Sequence, residues 1–178
     1  METIIFSQRD NPELALETYK LRHKIFCEKM AWFPTNPDGI EKDNYDDLDR
    51  TLYVVIRDRL RIVALVRLIV GSPSLTEELA GEKFINENHL CISRADFAKG
   101  YHTVHVALLM AFAAFQIGAQ HHVDYFIGCT YQDFVDQQVP IPLPFPIWLK
   151  KDIDGFPSIF YKAKTKALWY FLHLLGVV

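Results

Sequence analysis

Thr51-Leu-Tyr-Val-Val-Ile-Arg57, Asp58-Arg59-Leu60 and Arg61-Ile-Val-Ala-Leu-Val-Arg-Leu-Ile-Val70 carry the strongest signal of the fold. Two runs rich in Val, Ile and Leu flank a short polar break, the pattern of two antiparallel strands joined by a tight hairpin. Downstream, Thr76 to Asn86 reads as a short helix and Leu90 to Arg94 as a short strand. His102 to Gln120 is apolar almost all round (Val104, Ala107, Leu108, Ala111, Phe115, Ile117), which predicts a largely buried helix ending near Gly118. Val123 to Cys129 reads as a strand and Tyr131 to Gln138 as a short helix. Pro140, Pro142, Pro144 and Pro146 forbid a central strand and imply an extended connector. Ser158 to Ala163 predicts a last strand, and Lys166 to Leu175 a closing amphipathic helix. Upstream, Ile4 to Ser7 is a short strand. Asn11-Pro12 supplies a cap and a first-turn proline for a helix running to Met30. Between Trp32 and Asp49 lies a long acidic loop, and loops of that length in compact domains are usually functional. A hairpin followed by helical crossovers predicts an α/β (α+β) fold with a mixed sheet and helices on its faces.

The 178 residues are expected to form a single domain, 1–178. Half are hydrophobic and 23% charged, which excludes the composition of a disordered chain. A net charge of −3 argues against general nucleic-acid binding. Cys27, Cys91 and Cys129 are odd in number and widely spaced, so no disulfide framework is expected. Met1-Glu-Thr-Ile-Ile-Phe lacks the basic and apolar regions of a secretory leader, and no tract reaches the roughly 20 apolar residues of a membrane span. The expected compartment is the cytoplasm. His102/His105 and His121/His122 lack third and fourth ligands at zinc spacing, so no metal site is expected. No nucleophile elbow, P-loop or dinucleotide fingerprint is present.

One ordered set of residues remains: Arg22, Phe26 and Trp32, then Glu41-Lys42-Asp43-Asn44-Tyr45-Asp46, then Arg67, Phe84 and Ser93-Arg94. With its spacing it resembles the acyl-homoserine lactone synthases, the autoinducer synthases of the LuxI type. That family carries an Arg, a Phe four on and a Trp six further, then Glu-x-Asp-x-x-Asp, a later Arg, and Glu-x-x-Arg. The similarity covers about the first hundred residues. One position departs: Cys91 stands where the family has the Glu of Glu-x-x-Arg. The long-chain N-acyl amino acid synthases look like this family too. So do exosortase-associated acyltransferases, through a segment similar to Leu21-Arg22-His23-Lys24-Ile25-Phe26-Cys27-Glu28. All three imply the GNAT-type fold, three layers α-β-α around a twisted mixed sheet split by a V-shaped cleft.

Moving an acyl group from a thioester to an amine requires a bound and deprotonated amine, a stabilised oxyanion and a slot for the chain. Carboxylates in a loop bind an ammonium, and one of them can take its proton. Glu41 is the expected base, with Arg67 and Arg94 as catalytic partners. Arg22, Phe26, Trp32, Asp43, Asp46, Phe84 and Ser93 are expected to bind substrate, the arginines pairing with those acids or with an acceptor carboxylate. Ala107 and Ala111 are expected to wall an acyl tunnel between the apolar helix and the strands, which favours a medium-to-long chain.

No tightly bound cofactor is expected. Coenzyme A-dependent GNAT enzymes usually carry a Gly-x-Gly loop for the pyrophosphate, whereas Ala95 to Thr103 holds only Gly100. Acyl carrier protein (ACP) is therefore the expected donor and partner. Lys99, Lys150, Lys151, Lys162, Lys164 and Lys166 are the candidate basic cluster for docking it. The expected acceptor is a small amine, S-adenosylmethionine first and a free amino acid second. A non-catalytic acyl- or carrier-binding module is the alternative of another class.

Overall fold

The hairpin at Thr51 to Val70 supplies the second and third strands of a seven-stranded mixed sheet. This computed structural model describes residues 1–83, 88–132 and 146–174. In chain order the elements are β1 (Glu2–Phe6), α1 (Pro12–Arg22), a π-helical segment (His23–Lys29), β2 (Thr51–Asp58), β3 (Arg61–Val70) and α2 (Leu75–Ala80). They continue with β4 (His89–Phe97), α3 (Val104–Gln120), β5 (Tyr125–Tyr131), β6 (Ile147–Ile153), β7 (Phe156–Lys164) and a last helix, α4 (Thr165–Leu174). The strand order is β1-β2-β3-β4-β5-β7-β6. Among the described residues only β4 and β5 pair in parallel. Two expectations, the helix at Tyr131–Gln138 and the proline connector from Pro140, fall almost wholly outside the described residues, as does Phe84.

Period-2 alternation sorts the strands onto two faces. Val54 and Ile56 of β2, Val66 and Leu68 of β3, and Phe126 of β5 form one core with Val106, Met110, Ala113 and Ile117 of α3 and Leu168 and Leu172 of α4. On the other face Tyr53, Val55 and Leu65 pack on Leu14, Ala15 and Tyr19 of α1. The result is helix, sheet, helix, in three layers.

Several boundaries differ from the sequence reading, each for a local reason. α1 is capped as expected, the Asn11 side chain accepting from Leu14 N at 3.0 Å with Pro12 in the first turn. The helix does not run to Met30 in α form. After Arg22 the turns widen, and Met30 N bonds Ile25 O at 2.9 Å, an i→i+5 closure. This brings His23, Phe26 and Cys27 to the buried side together. α2 starts in a capping box between Ser74 and Glu77 and stops at Gly81, whose φ of +77° ends it well before Asn86. Gly118 lies inside α3, because a Cβ there would sit 2.8 Å from the Phe126 ring. An unanticipated strand, β6, pairs with β7 at the sheet edge.

Candidate functional site

Two breaks in the sheet's regularity build the site. The first is between β4 and β5. Their parallel pairing runs from His89↔Tyr125 to Ile92↔Gly128 and then stops, although β4 continues to Phe97 and β5 to Tyr131. The strands part there and leave a V-shaped cleft. The second is a bulge in β4: Leu65 pairs with Asp96 and Arg67 with Ser93, so Arg94 and Ala95 together oppose one residue of β3. Arg94 takes φ +53°, and the bulge re-aims its side chain.

The acidic loop folds over this point. Glu41 Oε2 accepts from Arg22 Nε at 2.5 Å, and Oε1 accepts from Arg94 Nε at 3.1 Å and Nη2 at 3.0 Å. Asp43 accepts from Arg67 Nη1 at 2.6 Å and from Arg94 Nη2 at 3.1 Å. Asp46 accepts from Arg22 Nη1 and Nη2 at 2.7 and 3.0 Å, from Arg67 Nη1 at 2.9 Å and from the Tyr53 hydroxyl at 2.6 Å. Ser93 Oγ accepts from Arg67 Nε at 3.0 Å. Three carboxylates thus face three guanidiniums in one network, which offsets the cost of burying each. Burial alone raises the Asp46 carboxyl, yet Arg22 and Arg67 hold it below the usual carboxylate range. Burial lowers the Arg67 guanidinium, but Asp46 and Asp43 outweigh it and raise it overall.

Exposure divides these residues. Arg22, Arg67 and Asp46 have side chains that are 0% accessible and anchor the loop from within. Of the residues expected to meet substrate, these three lie behind the loop's accessible edge. Glu41, Asp43 and Arg94 keep an accessible edge, with Asp43 the most open at 25%. These three border a cavity of about 490 Å³ with a mixed lining, walled also by Phe33, Pro34 and Leu75.

Arg94, Phe33, Pro34 and Leu75 also border a second cavity of about 310 Å³, which lies in the strand split. Its lining is mostly apolar and aromatic. Phe26 stacks on Trp32 with centroids 5.7 Å apart, Trp32 meets Tyr131 edge-on at 4.5 Å, and Tyr131 contacts Phe156 at 5.1 Å. Arg94 lies over the Phe33 ring at 4.3 Å. Ser93 and Cys129 complete the rim. Burial pushes the Cys129 thiol up to about 12, so it stays protonated at neutral pH and makes a poor nucleophile.

Phe26, Trp32 and Ser93 line the cavity in the strand split together with Arg94. Ala107 and Ala111 do not. They sit half-buried on α3 against the opposite face of the sheet, where the side chains of helix and strands close into one core. Neither residue lines the cavity beside the acidic loop or the one in the strand split. The late lysine cluster is also divided: Lys150, Lys151, Lys162 and Lys164 lie on β6 and β7, away from Lys99. Cys91 is fully buried between Ile69 and Ile127, its sulfur 3.1 Å from the Thr76 hydroxyl. Sequence reading missed Phe33, Leu75, Tyr131 and Phe156. Their only signal was an aromatic or aliphatic residue in a loop or at an element end.

The sequence model of the family described as autoinducer synthase matches residues 6–94, half of the chain. The chain belongs to that family. It is an acyltransferase, and the matched half contains every member of the carboxylate–guanidinium network. Among solved structures, TofI in a ternary complex with an inhibitor and MTA superposes with a TM-score of 0.73 at 24% identity, over 94% of this chain and 96% of that one. BjaI, a CoA-dependent acyl-homoserine lactone synthase solved with SAM and isopentyl-CoA, gives 0.72 at 20% identity, over 97% and 88%. FeeM, an N-acyl amino acid synthase from uncultured soil microbes, gives 0.68 at 9% identity, over 98% and 97%. No match was found among curated protein sequences. The autoinducer synthase thus has the expected GNAT-type fold. Among its described residues no helix is long and apolar enough to cross a membrane.

Proposed function

We propose that this autoinducer synthase transfers a medium-to-long acyl chain from acyl-ACP to the amine of S-adenosylmethionine and forms an acyl-homoserine lactone. One observation carries the reading: a cavity of mixed lining edged by the carboxylates of Glu41 and Asp43 and a largely apolar slot in the strand split meet at Arg94. In this account the acceptor amine lies in the first cavity and the acyl chain in the second. Glu41 takes the amine proton as the nitrogen attacks the thioester carbonyl carbon. Backbone N–H groups where the β4–β5 pairing ends, past Ile92 and Gly128, with the Arg94 guanidinium beside them, stabilise the oxyanion. The C–S bond then breaks, and the pantetheine sulfur leaves with the proton. The acceptor's own carboxylate closes the lactone by displacing methylthioadenosine.

Support for a carrier-bound donor comes from the loop before α3. Tyr101 N bonds Ala98 O, Thr103 N bonds Tyr101 O, and Val106 N bonds the Thr103 hydroxyl. Three amides around this turn are thus already engaged within the chain. A second acceptor class, free amino acids, is favoured by Cys91, which puts a thiol in a dry cluster where the family carries a carboxylate. The test is the steady-state release of carrier thiol from acyl-ACP, with S-adenosylmethionine or each free amino acid as acceptor. Release that needs S-adenosylmethionine supports the reading, and release with amino acids alone replaces the acceptor.

A further inference from the structure

A groove of about 830 Å³ lies on the other side of the π-helical segment from the reaction site, between α1, the start of β3 and the end of β4. Its floor is apolar, formed by Leu21, Ile25, Ile62 and Phe97, and Leu60 at the hairpin tip is 90% exposed at its edge. Its rim is basic. Lys20 and Lys24 project from one helical face, i to i+4, and Lys29, Arg61 and Lys99 continue the ring. All five are exposed, and none pairs with a carboxylate among the described residues. In a chain of net charge −3 this is a local reversal of sign. The acids of the groove do not cancel it. Glu17 is bound by Arg57, and Asp96 is 2% exposed. Burial also raises the Asp96 carboxyl toward its neutral form.

An apolar floor inside a cationic ring matches an acidic amphipathic helix, whose apolar side fills a groove while its carboxylates meet the rim. The position fits a donor. β4 leads directly from the groove into the site: Asp96 is three residues beyond Ser93, about 10 Å at 3.3 Å per residue. We infer that this groove is the docking face for the acidic acyl carrier protein, in place of the lysines of β6 and β7. The inference rests on the carrier-bound donor proposed above.

The test is binding, so that it does not depend on turnover or on the acceptor. Fluorescently labelled holo-ACP is titrated with the full chain and followed by anisotropy. Lys20→Glu/Lys24→Glu is expected to weaken binding at least tenfold, and 0.5 M NaCl to weaken the wild-type complex similarly. Lys150→Glu/Lys164→Glu is expected to leave it unchanged. Circular dichroism confirms that both variants fold, and the single variant Lys99→Glu, in a loop, serves if the helix pair does not. Absence of binding by the wild type overturns the proposal, as does equal weakening by the β6–β7 pair or no weakening by the groove pair. If binding behaves as expected and no acceptor is acylated, the docking face stands and the proposed reaction fails.

Discussion

Glu41, Asp43 and Arg94 border the cavity beside the acidic loop, whereas Asp46, Arg22 and Arg67 do not, and that contrast separates two kinds of mutant. Glu41→Gln keeps size and hydrogen bonding but removes the base. Its kcat is expected to fall by about 10²-fold or more, with holo-ACP binding unchanged. A near-wild-type rate would remove Glu41 from the proton transfer. Asp46→Ala leaves Arg22 and Arg67 buried without their shared partner and is expected to cost about 3–5 kcal/mol in urea unfolding. The sign of the pH effect follows from the depressed Asp46 carboxyl. Its contribution is complete above the ordinary carboxylate range and is lost as pH falls below it. Wild type is therefore expected to lose stability relative to Asp46→Asn on acidification below about pH 4, with the two stability curves parallel between pH 6 and 8. Curves parallel throughout the acid range would mean that Asp46 is not held in the charged form.

At the level of elements, α3 packs on the sheet, with Ala107 and Ala111 adjoining the core. Ala111→Phe is expected to destabilise the protein by about 1–3 kcal/mol without changing acyl-chain preference, because the residue adjoins a filled core. Tyr131→Ala is expected to admit longer chains, since Tyr131 bridges Trp32 and Phe156 across the slot. Competition between acyl-ACPs of different length measures both, and a shift with Ala111→Phe but not with Tyr131→Ala would return the tunnel to α3. The same packing shows what the sequence could reveal. The hairpin was legible because β2 and β3 are nearly continuous apolar runs, and the start of α1 because Asn11-Pro12 caps it. β6 was not: it is an edge strand whose Lys150 and Lys151 suit an edge and erase the apolar alternation. The π-helical widening after Arg22 was hidden because it satisfies the same apolar spacing with a different hydrogen-bond ladder. The motif residues could be named from their order along the chain. Which of them touch substrate could not, since burial of Arg22, Arg67 and Asp46 is settled only when Tyr53 and Ser93 close over them.

In the molecule as a whole, the sheet brings two half-sites to one arginine. The acid-rich loop between the π-helical segment and β2 supplies the polar side, and the parting of β4 from β5 supplies the apolar side. Neither half performs acyl transfer alone, and the groove flanking the π-helical segment lies within reach of both. The most direct measurement is mass spectrometry of the products formed from a medium-chain acyl-ACP and S-adenosylmethionine. The account predicts acyl-homoserine lactone and methylthioadenosine in equal amounts, both lost in Glu41→Gln. An intact acyl-ACP after incubation with S-adenosylmethionine and with every free amino acid would contradict it.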